Sequence, residues 1–329
     1  MKFSIIIPMK EITEYFKEAI PYFEKQTIKD FELIILPNDN KENPFKNIKH
    51  VKIINTGDVS PAVKRNIGAR KAKGDILAFI DDDAYPEIDW LEKASKDFED
   101  KNISAIGGPS IVPKNATFFQ RVSNKVYELS SGKTGIRYGK EKRQEIDDWP
   151  TCNFFVRKNE FEKTEGFDEK YWGGEDTQLC YSLLKTAKKI IYDPEMIIYH
   201  HPRKSLTNHL KQTLFWGMWR GFFMKIHPKE SRRLTFFIPP LFVLWLFFGG
   251  IFSLISNSIA YLYLLSMILY VIFLIIIGLK TKSAKLFFPV IIVSILTQLF
   301  YGVGFLRGIF SGKDGPTKFG MHPKENLKI

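Results

Sequence analysis

Residues 76–90, ILAFIDDDAYPEIDW, decide how this chain is read. The first five are an unbroken apolar run, short enough for a strand buried on both faces of a parallel sheet. The run stops at Asp81, Asp82 and Asp83. Three adjacent carboxylates repel one another unless a cation sits among them. Ligands of open α/β sheets bind just outside the carboxyl ends of the strands, so position and chemistry point to one place, a cation-assisted active site. The competing reading is a solvated acidic turn capping a helix that Pro86 and Glu87 open. The motif alone does not separate the two.

Outward toward the N-terminus, residues 3–7 are apolar and end at Pro8, and residues 31–36 are apolar and end at Pro37. An amphipathic segment, 12–23, lies between them. Strand, helix, strand is the pattern of a parallel sheet with helices on its faces. A short strand at 51–54 precedes Ser60-Pro61, an N-cap followed by proline at the first helical position, which predicts a helix to about residue 73. That helix carries Lys64, Arg65 and Asn66 near its start, where its dipole disfavours cations. A nucleotide diphosphate across the strand ends would account for them; a solvated basic face is the alternative.

Toward the C-terminus, the helix opened by Pro86 and Glu87 is expected to run to about residue 101, with strands at 103–106 and 153–156. The polar stretch 110–150 between those strands reads as a long connection with a helix near 118–130. Residues 166–184, GFDEKYWGGEDTQLCYSLL, place Glu175 and Asp176 at the start of a helix whose Leu179, Leu183 and Leu184 share one face. Acidic residues there are ordinary caps. They also suit catalysis, because Gly173 and Gly174 let a substrate approach the backbone. Strands at 190–192 and 196–199 follow, the second leading into His200-His201-Pro202. An imidazole beside an acidic site fits a metal ligand, although a strand-end histidine also serves structure.

The remaining third is different. No charged residue occurs in 234–279, and after Lys280, Lys282 and Lys285 a second charge-free run covers 286–306. A crossing needs roughly 20 apolar residues, so three membrane helices are predicted, at 236–255, 259–279 and 286–306. Helices of a soluble core would show a polar face over such lengths. Before them, residues 206–227 interleave Leu210, Leu214, Trp216, Trp219, Phe222 and Phe223 with Lys211, Arg220 and Lys225. This mixture suits a helix in the headgroup layer, or one packed on the preceding domain. The 329 residues carry a formal net charge of +12, which beside three spans favours an anionic lipid surface over nucleic acid. With no signal peptide at the start and only Cys152 and Cys180 as thiols, the first two thirds are expected in the cytosol. Three crossings place Arg232-Arg233 and the 280–285 lysines inside but the basic tail 313–329 outside, against the positive-inside rule. A third segment that re-enters without crossing would remove the conflict.

The stretches SIIIPMKE, PAVKRNIGARKAKGDILAFIDDDAYPEIDWL and GFDEKYWGGEDTQLCYSL followed by YDPEMIIYHHP resemble, in order and spacing, the family 2 glycosyltransferases, inverting enzymes of the GT-A fold that use nucleotide-sugars. The resemblance implies that Asp81 and Asp83 match the DxD that holds a divalent metal with the donor's ribose and diphosphate, with Asp82 and Pro8 at the donor. Asp176 matches the general base with Glu175 beside it, His200 or its neighbour His201 completes the metal site, and Arg65 and Asn66, with Lys64, lie near the nucleotide. One departure stands out: paired aspartates usually follow the second strand, and here Pro37, Asn38 and Asp39 do, leaving Asp39 to hold the base and ribose.

The expectation is thus an α/β GT-A domain over residues 1–204, an amphipathic helix or linker at 205–233, a membrane region at 234–310 and a basic tail at 311–329. The predicted protein is a multi-pass enzyme of the cell membrane, using Mg²⁺ or Mn²⁺ to move sugar from a UDP- or GDP-sugar to a hydroxyl of a lipid-linked or envelope glycan, with membrane lipids as partners. Homo-oligomerisation is left open. Transfer to a polyprenyl phosphate is the alternative reaction, and a non-catalytic membrane scaffold the alternative of another class.

Overall fold

The computed structural model describes residues 2–40, 50–129, 133–139, 141–227, 234–312 and 315–316. Arg232, Arg233 and nearly all of the 313–329 tail fall outside them. In chain order the elements are β1 (Phe3–Pro8), α1 (Glu14–Glu24), β2 (Phe31–Leu36), β3 (Val51–Ile53), α2 (Pro61–Lys71), β4 (Ile76–Ile80) and β5 (Ala84–Pro86). Then come α3 (Trp90–Asp97), β6 (Ile103–Gly107), β7 (Ser110–Ile111), α4 (Phe118–Glu128), α5 (Lys133–Tyr138), β8 (Gln144–Ile146) and β9 (Asn153–Arg157). They are followed by α6 (Lys158–Lys163), α7 (Glu175–Leu184), β10 (Lys189–Tyr192), β11 (Ile198–His200) and α8 (Leu206–Ile226). Three long apolar helices close the chain: α9 (Leu234–Ser253), α10 (Asn257–Lys280) and α11 (Ala284–Ile309).

Two compact units emerge: Met1–Pro113 with Ile136–His201, and Lys114–Gly135 with Pro202–Lys318. In the first, the strands order as β3-β2-β1-β4-β9-β6-β10-β8, mostly parallel, with β9 and β8 antiparallel to their neighbours. Side chains alternate across a strand. Phe3, Ile5 and Ile7 therefore pack with Phe16, Phe23, Trp90 and Leu91 on one face, while Ile6, Ile34, Leu77 and Phe79 pack with Ala62, Ala69, Leu179 and Leu183 on the other. Burial on both faces explains why these strands are apolar runs without alternation. The mostly parallel α/β sheet is the one expected of the GT-A domain.

Two local expectations are corrected. Pro86 and Glu87 do not open a helix: Ala84–Pro86 pairs antiparallel with β11, and α3 starts at Trp90 and ends at Asp97. Tyr85 stacks on Tyr22 at 4.3 Å and on Tyr199 at 5.2 Å, which holds this stretch extended. Leu184 is exposed although Leu179 and Leu183 are fully buried, so it lies off the apolar face of α7.

In the second unit, α9 and α10 form an antiparallel hairpin: Trp245 Nε1 donates to Ser266 Oγ at 2.8 Å, and Phe242 packs on Tyr270 at 4.5 Å. Helix α8 buries Trp219, Phe222 and Phe223 and leaves Lys211 and Lys225 exposed. Helix α4, from the 110–150 connection, belongs here too, with Val122 and Val126 against Ile277, Val290 and Val293. His209 of α8 joins three helices: Nδ1 pairs with Ser123 Oγ and Nε2 with Thr297 Oγ1, each at 2.8 Å.

Candidate active site

The acidic strand end is shaped by a second sheet, β5-β11-β7. After Ile80 the chain turns through the aspartates into β5, whose Ala84 lies opposite His200 on β11. The His201 amide donates to the Asp83 carbonyl at 2.9 Å, locking that register. As a result His200 Nε2 lies 3.1 Å from Asp83 Oδ1, and ligand atoms of Asp81, Asp83 and His200 all fall within 4.8 Å of one another. Two carboxylates and an imidazole at that spacing can share one divalent cation of the Mg²⁺ or Mn²⁺ type. His200 Nδ1 is buried with no hydrogen-bond partner, so the ring is aimed at the aspartates without a second tether. His201 is directed elsewhere: its Nε2 meets Glu18 Oε2 at 3.2 Å and its ring stacks on Tyr15, which makes His200 the member of the pair that faces the site.

Arg65 ties this cluster to α7. Its Nη2 donates to Asp81 Oδ1 at 3.1 Å and its Nη1 to Glu175 Oε1 at 2.7 Å, and the side chain is almost fully buried. The position is reached because Ser60 caps α2 by accepting from the Val63 amide, which starts the helix at Pro61 and turns Arg65 toward the strand ends. The basic residue early on a helix is thereby explained by two carboxylates, buried Glu175 and half-buried Asp81. Glu175 and Asp176 open α7 after Gly174, whose φ of 78° suits glycine. Burial pushes the Asp176 carboxyl up to about 7, reinforced by Glu175 and Asp148. Burial also raises Glu175, with Arg65 opposing it.

The other predicted donor residues sit around this centre. Pro8 ends β1 beside Leu36, and Asp82 is half-buried in the acidic turn. Lys64 Nζ donates to the Met9 and Leu36 carbonyls at 2.8 and 3.2 Å and to Asn38 Oδ1 at 2.5 Å. Burial lowers its pKa to about 8. At the departure after β2, Asn38 also donates to Asp58 Oδ1 at 3.0 Å, while Asp39 is exposed. Asn66 is occupied with structure: its amide donates to the Phe167 carbonyl and Glu169 Oε1 and accepts from the Phe167 amide, fastening the GFDE loop to α2.

Sequence reasoning missed three groups. Asp58 and Asp148 stand in featureless polar stretches. Arg137, from the α5 segment, donates through Nη2 to Cys152 Sγ at 2.9 Å, and its Nε is buried without a partner. Cys152 follows directly from the β4–β9 register, one position beyond the Ile80–Asn153 pair and hence alongside Asp81. Burial works against the Arg137 charge, but the acidic groups around it, Asp81 and Asp176 among them, outweigh that and raise its pKa. No local periodicity marked Arg137, because its partners come from elements distant in sequence.

Residues 4–233 match the family described as "Glycosyltransferase like family 2". Among curated proteins, the chain is 25% identical over 180 residues to the pre-mycofactocin glycosyltransferase of Mycobacterium tuberculosis, covering 53% of this chain and 37% of that protein. It is 23% identical over 332 residues to the dolichyl N-acetyl-alpha-D-glucosaminyl phosphate 3-beta-D-2,3-diacetamido-2,3-dideoxy-beta-D-glucuronosyltransferase of Methanococcus voltae, covering 94% and 97%. Over 271 residues it is 23% identical to the glucosyl-dolichyl phosphate glucuronosyltransferase of Haloferax volcanii, covering 74% and 84%. Among solved structures, S. aureus TarS 1–349 in complex with UDP-GlcNAc superposes with a TM-score of 0.48 at 16% identity over 66% of each chain. The family match spans most of the chain and contains the whole acidic site, so the chain belongs to the family 2-like glycosyltransferases and is a glycosyltransferase enzyme.

Proposed function

We propose that this enzyme is anchored in a membrane and transfers a sugar, with inversion, from a nucleotide-sugar to a hydroxyl of a lipid-linked glycan. The observation that supports this reading most is the link through Arg65, which joins the Asp81, Asp83 and His200 cluster to the Glu175-Asp176 start of α7 within one unit. Two of the relatives above, one matched along nearly its whole length, are named for acting on dolichyl phosphate sugars, which supports a lipid-linked acceptor over a soluble one. The apolar helices at the end of the chain, long enough to cross a membrane, support the anchor.

In the proposed reaction the acceptor oxygen forms a bond to the anomeric carbon as the bond from that carbon to the diphosphate oxygen breaks. The electron pair leaves with the diphosphate, and the acceptor proton passes to an Asp176 carboxylate oxygen. Attack opposite the leaving group inverts the anomeric centre. Asp81, Asp83 and His200 are the residues that would hold Mg²⁺ or Mn²⁺, which when bound neutralises charge on the departing diphosphate. Arg137 feels the charges of Asp81 and Asp176 and offers a second cation for phosphate oxygens. Arg65 keeps Glu175 and Asp81 at fixed spacing, leaving Asp176 free to act as the base. Burial of Asp176 suits it to that role, since a base with pKa near neutrality is efficient at neutral pH.

Asp176→Asn tests the reading. Asparagine keeps the side-chain shape and one acceptor oxygen but cannot take the proton. Turnover on a hydroxyl acceptor should fall roughly 10²- to 10⁴-fold, with nucleotide-sugar affinity in the presence of Mn²⁺ nearly unchanged. A phosphate acceptor is already ionised, so near wild-type turnover in this variant would favour transfer to a polyprenyl phosphate.

A further inference from the structure

Helices α8 and α11 run parallel with their backbones in contact. A Cβ on Gly217 would lie 2.3 Å from the Tyr301 carbonyl oxygen, and one on Gly221 would lie 2.1 Å from that of Phe305. Reciprocally, Gly304 would meet the Leu214 carbonyl oxygen at 2.3 Å and Gly308 that of Met218 at 2.0 Å. Both sets advance four residues together, so two small-residue faces interlock along one direction. The pairing extends from His209 with Thr297 to Lys225 Nζ, which donates to the Ser311 carbonyl. The other half of α11 is also covered: Val290 and Val293 pack on Val122 and Val126 of α4.

Both halves of α11 therefore have a charge-bearing helix along one side. On α8 the exposed Lys211 and Lys225 are separated by about 21 Å along the axis, with Arg220 between them. On α4, Lys125 and Glu128 form an ion pair at 2.7 Å on either side of Val126 in sequence. The length of α11 beside α8, from Thr297 to its end, is about 20 Å, short of the roughly 30 Å hydrocarbon core. By contrast α9 and α10 expose large apolar residues along their lengths, among them Leu241, Phe247, Phe252, Leu262, Leu265 and Leu269. These two look out on lipid; α11 also exposes Phe288, Ile292, Phe300 and Val303, but unlike them it packs along α8 and α4, whose charged residues are costly in hydrocarbon.

We infer that the chain crosses the membrane twice, through α9 and α10, and that α11 lies with α8 in the headgroup layer as a platform for anionic lipid headgroups. Lys211, Lys225, Lys280, Lys282, Lys285 and Arg307 are exposed, and α8, α10 and α11 contain no acidic residue, so the platform is cationic throughout. Both ends of the hairpin and residues 310–312 then share one side. That arrangement gathers the basic segments on a single face and satisfies the positive-inside rule that three crossings break. It is independent of which sugar or acceptor the enzyme uses.

The test is the sidedness of single cysteines added to the full-length protein in sealed membrane vesicles, read with a membrane-impermeant maleimide. Cys152 and Cys180 are buried and give a low background. Lys285→Cys, Gly312→Cys and Phe310→Cys should label from one side, and Ser258→Cys, at the turn between α9 and α10, only from the other. Labelling of Gly312→Cys and Phe310→Cys from the Ser258→Cys side would show that α11 crosses and would overturn the inference. As a second arm, binding to vesicles of anionic phosphatidylserine against neutral phosphatidylcholine should drop several-fold when Lys211 and Lys225 are both changed to Gln; equal binding would remove the headgroup role.

Discussion

Asp176 couples activity and stability in opposite directions. Its folded-state pKa of about 7 lies well above the ordinary aspartate value, because burial and the neighbouring carboxylates disfavour the charge. A carboxyl raised in this way contributes stability that is fully present below its unfolded pKa and is lost as pH rises through about 7. Proton acceptance needs the ionised form, so kcat/KM should climb from pH 5.5 and level off above about 7.5 while thermal stability declines over the same window. A profile flat across that window in the wild type would separate Asp176 from the proton transfer. Arg137 makes a second residue-scale case. Arg137→Gln should raise the nucleotide-sugar Kd about tenfold or more at fixed Mn²⁺, with a smaller effect for Arg137→Lys, because a retained cation still meets phosphate but loses the planar fork. Equal donor affinity in both would confine Arg137 to holding Cys152.

At the scale of elements, the long strands were legible, as were the short β3, β10 and β11, while β5, β7 and β8 were not. β2 and β4 stand out because burial on both faces makes them unbroken apolar runs closed by Pro37 or by aspartate. Of the small sheet only β11 was anticipated; β5 and β7 escaped notice because they are two or three residues long and gain their stability from non-local pairing. Yet that sheet brings His200 to Asp83, so the histidine's role rested on family resemblance and its geometry on β5 and β11. Val122 and Val126 sit one turn apart and mark an apolar stripe, but a stripe does not name its partner. The glycines of α8 and α11 were equally silent, since small residues signal close packing only once the facing helix is known. Gly308→Leu tests that packing: the side chain would collide with the Met218 backbone, and overpacking of this kind costs about 1–3 kcal/mol. Melting temperature in detergent should fall by several degrees, and an unchanged value would mean that the two helices separate at little cost.

The whole molecule is less separable than its sequence suggests. By sequence, a cut before Leu206 leaves a finished catalytic domain, since the strands end by His200. The structure assigns Lys114–Gly135 to the other unit, so that cut removes the partners of α4: His209 and Thr213 from Ser123 and Tyr127, and Val290 and Val293 from Val122 and Val126. The 1–205 fragment should aggregate or be cleaved by protease within 114–135, whereas replacing that stretch with a short Gly/Ser linker should yield a soluble protein that still binds nucleotide-sugar. An intact, monodisperse 1–205 fragment would contradict this. The same packing also sets a schedule on the ribosome. Val126 emerges about 160 residues ahead of Val290, a delay of roughly ten to thirty seconds at ordinary synthesis rates. For that interval Val122 and Val126 wait on a nascent chain, with only α8 to meet α4 on its polar side before the last helix arrives.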